Sequence, residues 1–227
     1  MKSLQIAATG MAAQQMRVDV ISNNIANMST AAYRPRVAEF SDLVYQQYLT
    51  PGTLTSQLGT VVPAGIQLGT GVKASTVSVE ITQGSMRQTG AELDIGIDGN
   101  GFLEVALPDG ESVYTRDGKL NRSADGEIVT MDGYPLADGI TLPSDANRIT
   151  ISRDGEVTAY FDNQVAGQSI GVISVASFVN EKGLEAIGGN LFRETAASGG
   201  PNVGDAGTDG RGTFRQGFLE QSGVDPV

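Results

Sequence analysis

The chain has 227 residues, enough for one or two domains with a sizeable core, and its 30 glycines suit a turn-rich β body better than a helical bundle. It contains no Cys, His or Trp, so zinc, haem and iron–sulfur sites lose their usual ligands and a Ser–His–Asp triad is excluded. A net charge of −11 argues against a cationic face for nucleic-acid phosphates or anionic lipid. No apolar run reaches the roughly 18 residues that a membrane-spanning helix needs.

The first 27 residues read as one helix, about 38 Å long at ~1.5 Å per residue. Leu4, Met11, Val18 and Ile25 recur seven apart, and Ala7, Gln14, Ile21 and Met28 form a second seam beside them. This is an a/d heptad of the coiled-coil kind, and its apolar stripe needs a partner. Ser3 is the expected N-cap. Lys2 ahead of Leu4 and Ile6 resembles the start of a signal peptide, but the helical pattern continues past any cleavage point, so no cleaved signal is expected. Asn23, Asn24 and Asn27 are poor helix formers inside the register. They are expected to fix register by hydrogen bonds to a packed helix or to the connecting loop, or, for Asn27, to cap the helix in the left-handed conformation. The chain leaves through Ser29 to Arg36 without a tight turn, so the helix is not expected to fold back onto the next segment.

Residues from about 40 to 71 are extended and irregular. Gln57-Leu58-Gly59-Thr60 recurs as Gln67-Leu68-Gly69-Thr70, which is too little for a solenoid and suits a long loop or loose hairpin. Loops of this length are usually functional, so Leu58, Ile66, Gln67 and Leu68 are candidate contacts between subunits.

From Val72 the apolar period becomes two. Strands are expected around residues 77–81, 93–97, 103–107, 149–151, 157–161 and 172–178, with a last short run at 214–219. Eight Asp-Gly pairs, six of them between Asp98 and Gly139, punctuate these strands as hairpin turns. The fold class is therefore mainly β with a long N-terminal α-helix: a coiled-coil-type helix, an extended linker, then a sandwich- or barrel-like domain of short antiparallel strands.

Chemistry is hard to place on this pattern. An EF-hand starting at Asp94 fails at Gly96 and at Val105, where a carboxylate is required. Gly69-x-Gly71-x-x-Ala74 lacks the strand-to-helix setting of a dinucleotide fingerprint. Pairs such as Glu92/Asp94 or Asp98/Glu104 arise by chance among 26 acidic residues. No enzyme activity, metal or cofactor is expected.

Ala8-Thr9-Gly10-Met11, Gln14-Gln15 and the run from Val18 to Asn27 resemble the N-terminal signature of the flagellar rod and hook family of bacteria. Leu93 to Phe102, followed by Tyr114-Thr115-Arg116-Asp117-Gly118, is similar to the family's β domain, and Val62 to Val72 resembles its distal-rod branch. Ala196 to Gly199 and Arg215 to Glu220 also fit. The resemblance implies a self-assembling axial subunit: a helical homopolymer exported uncleaved by the flagellar type III apparatus. Such a polymer would form a hollow distal rod in the periplasm, inside ring proteins and between proximal rod and hook-side axial proteins, and would carry torque. It further implies an inner-tube helix (1–32), a linker with the distal-rod stretch (33–84), an outer β domain (85–196) and a return segment (197–227). Two departures stand out. Ala32 and Arg34 replace the family's Gly and Lys in Thr30-Ala31-Ala32-Tyr33-Arg34. No amphipathic helix follows Gly199, so the family's C-terminal helix, which would pair with the N-terminal one, is expected to be missing from these residues. A proximal rod or hook subunit is the near alternative. A secreted β-rich binding module would show an aromatic platform or calcium site and no heptad helix.

Overall fold

A computed structural model describes residues 2–51, 64–162 and 166–225. They fall into two compact units, one of Met1–Ala26 with Arg36–Val79, the other of Asn27–Pro35 with Glu80–Val227.

The first unit holds helix α1 (Lys2–Ala26) and strands β1 (Arg36–Asp42), β2 (Tyr45–Leu49), β3 (Ile66–Gly69) and β4 (Val72–Val79). Ala, Gln and Met supply ten of the 25 residues of α1, and these are good helix formers. β1 pairs with β4 antiparallel from Arg36↔Val79 to Asp42↔Val72, with an irregularity between Glu39 and Phe40. β2 pairs with β3 from Tyr45↔Gly69 to Leu49↔Ile66, which makes the loose hairpin expected of this stretch. Leu58 and the first copy of the repeat lie outside the described residues.

Three local expectations are corrected here. Helical geometry already holds at Lys2, so Ser3 lies in the first turn and cannot adopt the extended backbone of an N-cap. Asn27 is not left-handed. It opens a turn in which its carbonyl accepts from the Thr30 N–H (3.1 Å) and its Oδ1 from Thr30 Oγ1 (3.3 Å), while the left-handed residue is Ala32 at φ 53°. Finally, β1 does return along α1, because the Asn24 side chain binds the Arg36 backbone.

The second unit carries β5 (Met86–Gln88), β6 (Ile95–Asp98), β7 (Leu103–Ala106), β8 (Ser112–Thr115), β9 (Leu120–Arg122), β10 (Ile128–Thr130), β11 (Ala146–Ile151) and β12 (Glu156–Phe161). These are followed by β13 (Gln168–Val172), β14 (Val175–Ser177), β15 (Glu185–Gly188), β16 (Leu191–Arg193), β17 (Asn202–Gly204), β18 (Thr213–Gln216) and β19 (Phe218–Glu220). The fold class is thus mainly β with one N-terminal helix and many short antiparallel strands. The larger sheets run β15-β16-β8-β7 and β11-β12-β13, and the C-terminal strands return to early ones, β18 on β6 and β19 on β5. Ile95, Ile97, Leu103, Val105, Val113, Ile128, Leu142, Ile173 and Phe214 form one continuous buried core. A second cluster joins Phe102 and Tyr114 to Phe178, with Tyr114 and Phe178 edge-to-face at 4.8 Å.

Asp-Gly pairs close the β7–β8, β9–β10 and β11–β12 hairpins, as expected. Asp117-Gly118 does not close one. Gly118 lies so close to the Ile95 backbone that a Cβ there would sit 1.6 Å from the Ile95 carbonyl oxygen. The single strand expected over 172–178 is two. Asp138 takes both the N–H (3.0 Å) and the hydroxyl (2.6 Å) of Ser174, which breaks the ladder between β13 and β14.

Candidate subunit-packing surface

Helix α1 has two apolar aspects, and only one is occupied within its unit. Ile6, Thr9, Gly10, Ala13, Val20 and Asn24 are half-buried, on the helix that packs against β1 and β4. The fit near Gly71 is close, since a Cβ there would meet Thr9 Oγ1 at 2.4 Å, and the Val72 N–H lies 3.4 Å from the same hydroxyl. Lys2 Nζ donates to Gln46 Oε1 at 2.8 Å.

The heptad seam is the other aspect. Leu4, Met11, Val18 and Ile25 are 72%, 67%, 55% and 61% exposed. Ala7, Gln14, Ile21 and Met28 are exposed as well. A row of large apolar side chains at coiled-coil spacing therefore faces outward from a helix already fixed on its opposite side. Full burial of each Val, Leu, Ile or Met is worth about 1.5–3 kcal/mol, so covering the seam offers a substantial driving force for association.

The Asn residues divide by role. Asn24 acts as a backbone mimic: its Nδ2 donates to the Arg36 carbonyl (2.8 Å) while its Oδ1 accepts the Arg36 N–H (3.0 Å). Satisfying both groups of one residue fixes the register of β1 against α1, the connecting-loop role open to it from the sequence. Asn23 is exposed and Asn27 half-buried at the turn after the helix. On the β2/β3 hairpin, Ile66, Gln67 and Leu68 are all exposed, beside exposed Val44, Tyr45 and Tyr48. Leu58 lies outside the described residues.

The second unit contains a buried ionic knot that pattern reading missed. Arg116 Nε donates to Glu220 Oε2 at 2.6 Å, with the side chains 1% and 4% exposed. The remaining Arg116 donors reach the carbonyls of Gly101 (2.6 Å), Ile97 (3.0 Å) and Gly99 (2.5 Å). Glu220 Oε1 accepts the Gly84 N–H (2.9 Å), and its main-chain carbonyl accepts the Ala32 N–H (2.9 Å). The Gly223 N–H donates to the Tyr33 carbonyl (2.9 Å). Glu220 thus ties the residue 32–34 segment to β19 through its carbonyl and Gly84 through its carboxylate, which also holds Arg116 and, through it, the β6–β7 connection. Arg34 is buried beside it, 5.9 Å over the Phe102 ring. Burial first, and then the neighbouring Arg116 charge, lowers its pKa against the opposing pull of Glu220 and Glu181. Arg116 and Glu220 are 104 residues apart, and the only hint in the sequence is that each sits in a block resembling a known family.

Residues 4–34 match the family described as flagella basal body rod protein, and residues 96–159 match the flagellar hook protein FlgE/F/G D1 domain. The chain is 48% identical over 227 residues to the flagellar basal-body rod protein FlgG of Caulobacter vibrioides, covering 100% of this chain and 87% of that protein. It is 44% identical to the FlgG of Agrobacterium fabrum, with the same coverage. With the FlgG of Bacillus subtilis the identity is 34% over 230 residues, covering 99% of this chain and 86% of the relative.

Proposed function

We propose, on the premise that this chain belongs to the flagellar basal-body rod protein family, that it polymerises into the distal section of the rod. The family is one of structural rod proteins, so the chain is a rod subunit of the flagellar basal body and acts by assembly, not catalysis. The finer reading is ours. Residues 62–72 resemble the distal-rod branch, which favours that section over the proximal rod or the hook. In this account Leu4, Met11, Val18 and Ile25, with Ala7, Gln14 and Ile21, pack against other helices of the polymer as its inner-tube segment (1–32). Asn24 holds that helix to its own unit, with Asn23 and Asn27 at its end. The stretch 33–84, through Leu58, Ile66, Gln67 and Leu68, touches neighbouring subunits. Residues 85–196 form the outer β domain and 197–227 the return segment. The polymer joins proximal rod and hook-side axial proteins, turns within ring proteins across the periplasm, and reaches that place uncleaved through the flagellar type III apparatus.

The observation that carries this reading is the exposed heptad seam on a helix docked by its opposite face. The test is deletion of the gene in its host, with electron microscopy of purified basal bodies. A rod stub without distal rod or hook is expected. Complete rods and hooks would overturn the proposal.

A further inference from the structure

The two units differ sharply in charge. The unit containing α1 carries Lys2, Arg17, Arg36 and Lys73 against Asp19, Glu39 and Asp42, a net of +1, whereas the other carries the remaining 11 cations and 23 carboxylates, a net of −12. Two of the four cations of the α1 unit, Arg17 and Arg36, line a groove of about 450 Å³ between α1 and β1. Its walls are mostly apolar, from Val20, Ile21, Val37 and Phe40, with Asn24 beside them, and no carboxylate among the described residues lines it. Such a groove suits an apolar residue flanked by carboxylates.

The strongly anionic unit presents one segment of that kind. Val179 is 98% exposed, an unusual state for an aliphatic side chain. It is followed by half-buried Glu181, by exposed Lys182 and by the edge strand β15, all of whose residues are exposed, including Glu185 and Ile187, so the segment carries two carboxylates against one ammonium. The segment is held firmly. Phe178 packs edge-to-face on Phe102 and Tyr114, the Asn180 side chain donates to the Ala197 carbonyl (3.0 Å), and Thr195 Oγ1 donates to the Gly183 carbonyl (2.6 Å). The exposure of Val179 is therefore a feature of an ordered surface, and a preorganised apolar tip costs little to dock.

We propose that the α1/β1 groove of one copy receives the Val179–Ile187 segment of a second copy, with Val179 between Val20 and Val37 and with Glu181 and Glu185 facing Arg17 and Arg36. Groove and segment are different surfaces of the same chain, so a contact that is not reciprocated between two copies is heterologous, and where its rotation does not close a ring it builds the open helical filament that the polymer reading requires. It rests on the polymer reading above, to which it adds a second interface that meets the helix seam at Ile21.

Because the chain has no Cys, engineered cysteines report the contact cleanly. Val37→Cys and Val179→Cys are made in the full chain, singly and together, and each variant is polymerised, sedimented and oxidised. The double variant is expected to give a ladder of covalent oligomers and the single variants none. In a second arm, Arg17→Glu with Arg36→Glu is expected to raise the critical concentration by about tenfold, and adding Glu181→Arg with Glu185→Arg to restore it. Polymer that sediments normally but gives no ladder overturns this contact and leaves the filament reading intact. Failure of the wild-type chain to polymerise overturns both.

Discussion

Replacing Glu220 with Ala removes the carboxylate hydrogen-bonded to Arg116, whose side chain is 1% exposed and cannot reach water without opening the core. Three backbone carbonyls still accept from the guanidinium, but they carry only partial charge, and Arg34 places a second buried cation nearby. Stranding a buried charge in this way costs about 3–5 kcal/mol. The Gly84 N–H also loses its acceptor, which places the expected loss at the upper part of that range. At about 2–4 °C per kcal/mol for a unit of this size, Tm falls by roughly 8–20 °C. The assay is urea unfolding followed by near-UV circular dichroism, where ten of the thirteen tyrosines and phenylalanines lie in the second unit. The midpoint should drop with little change in slope. A loss below about 1 kcal/mol, the range of exposed ion pairs, would refute the claim that this pair is buried and essential.

Other consequences are equally direct. Gly118→Ala puts a methyl group into the Ile95 carbonyl and is expected to cost about 3 kcal/mol; an unchanged Tm would contradict the close approach. Asn24→Ala removes two hydrogen bonds to Arg36, worth about 1–3 kcal/mol together, and should accelerate hydrogen exchange at the Arg36 amide. Exchange as slow as wild type would show that the side chain does not hold β1. Burial first, then Glu104 and Glu194, pushes the Tyr114 phenol up to about 12. The unfolded phenol ionises near pH 10, so this contribution to stability is complete below pH 10 and is lost as pH rises through about 12. Tyr114→Phe should flatten that alkaline loss, and an identical pH profile in the variant would contradict the assignment.

What the sequence disclosed was whatever depends on short-range period. The seven-residue spacing of Leu4, Met11, Val18 and Ile25 identified the exposed seam, and the two-residue period marked fewer than half of the strands, among them β4, β6, β7, β11 and β12. The other face of α1 was harder to see, because Thr9, Gly10, Ala13 and Asn24 are small or polar and owe their burial to β1 and β4. Asn24 was recognised as a register residue, but its partner Arg36 emerges only once the chain returns along the helix. Ser3 and Asn27 have the chemistry of caps and not the backbone geometry. The Gly118 approach, the Asp138 bonds that divide residues 172–178 and the Arg116–Glu220 pair all join positions distant in sequence, which local pattern does not encode.

The central claim is that the exposed α1 seam drives assembly, and Val18→Asp tests it most directly. The purified variant and wild type are compared by sedimentation and electron microscopy under polymerising conditions, with near-UV dichroism to follow the second unit. The account predicts a variant whose β unit is folded and which forms no filaments. Filaments of normal length and yield from Val18→Asp would contradict it.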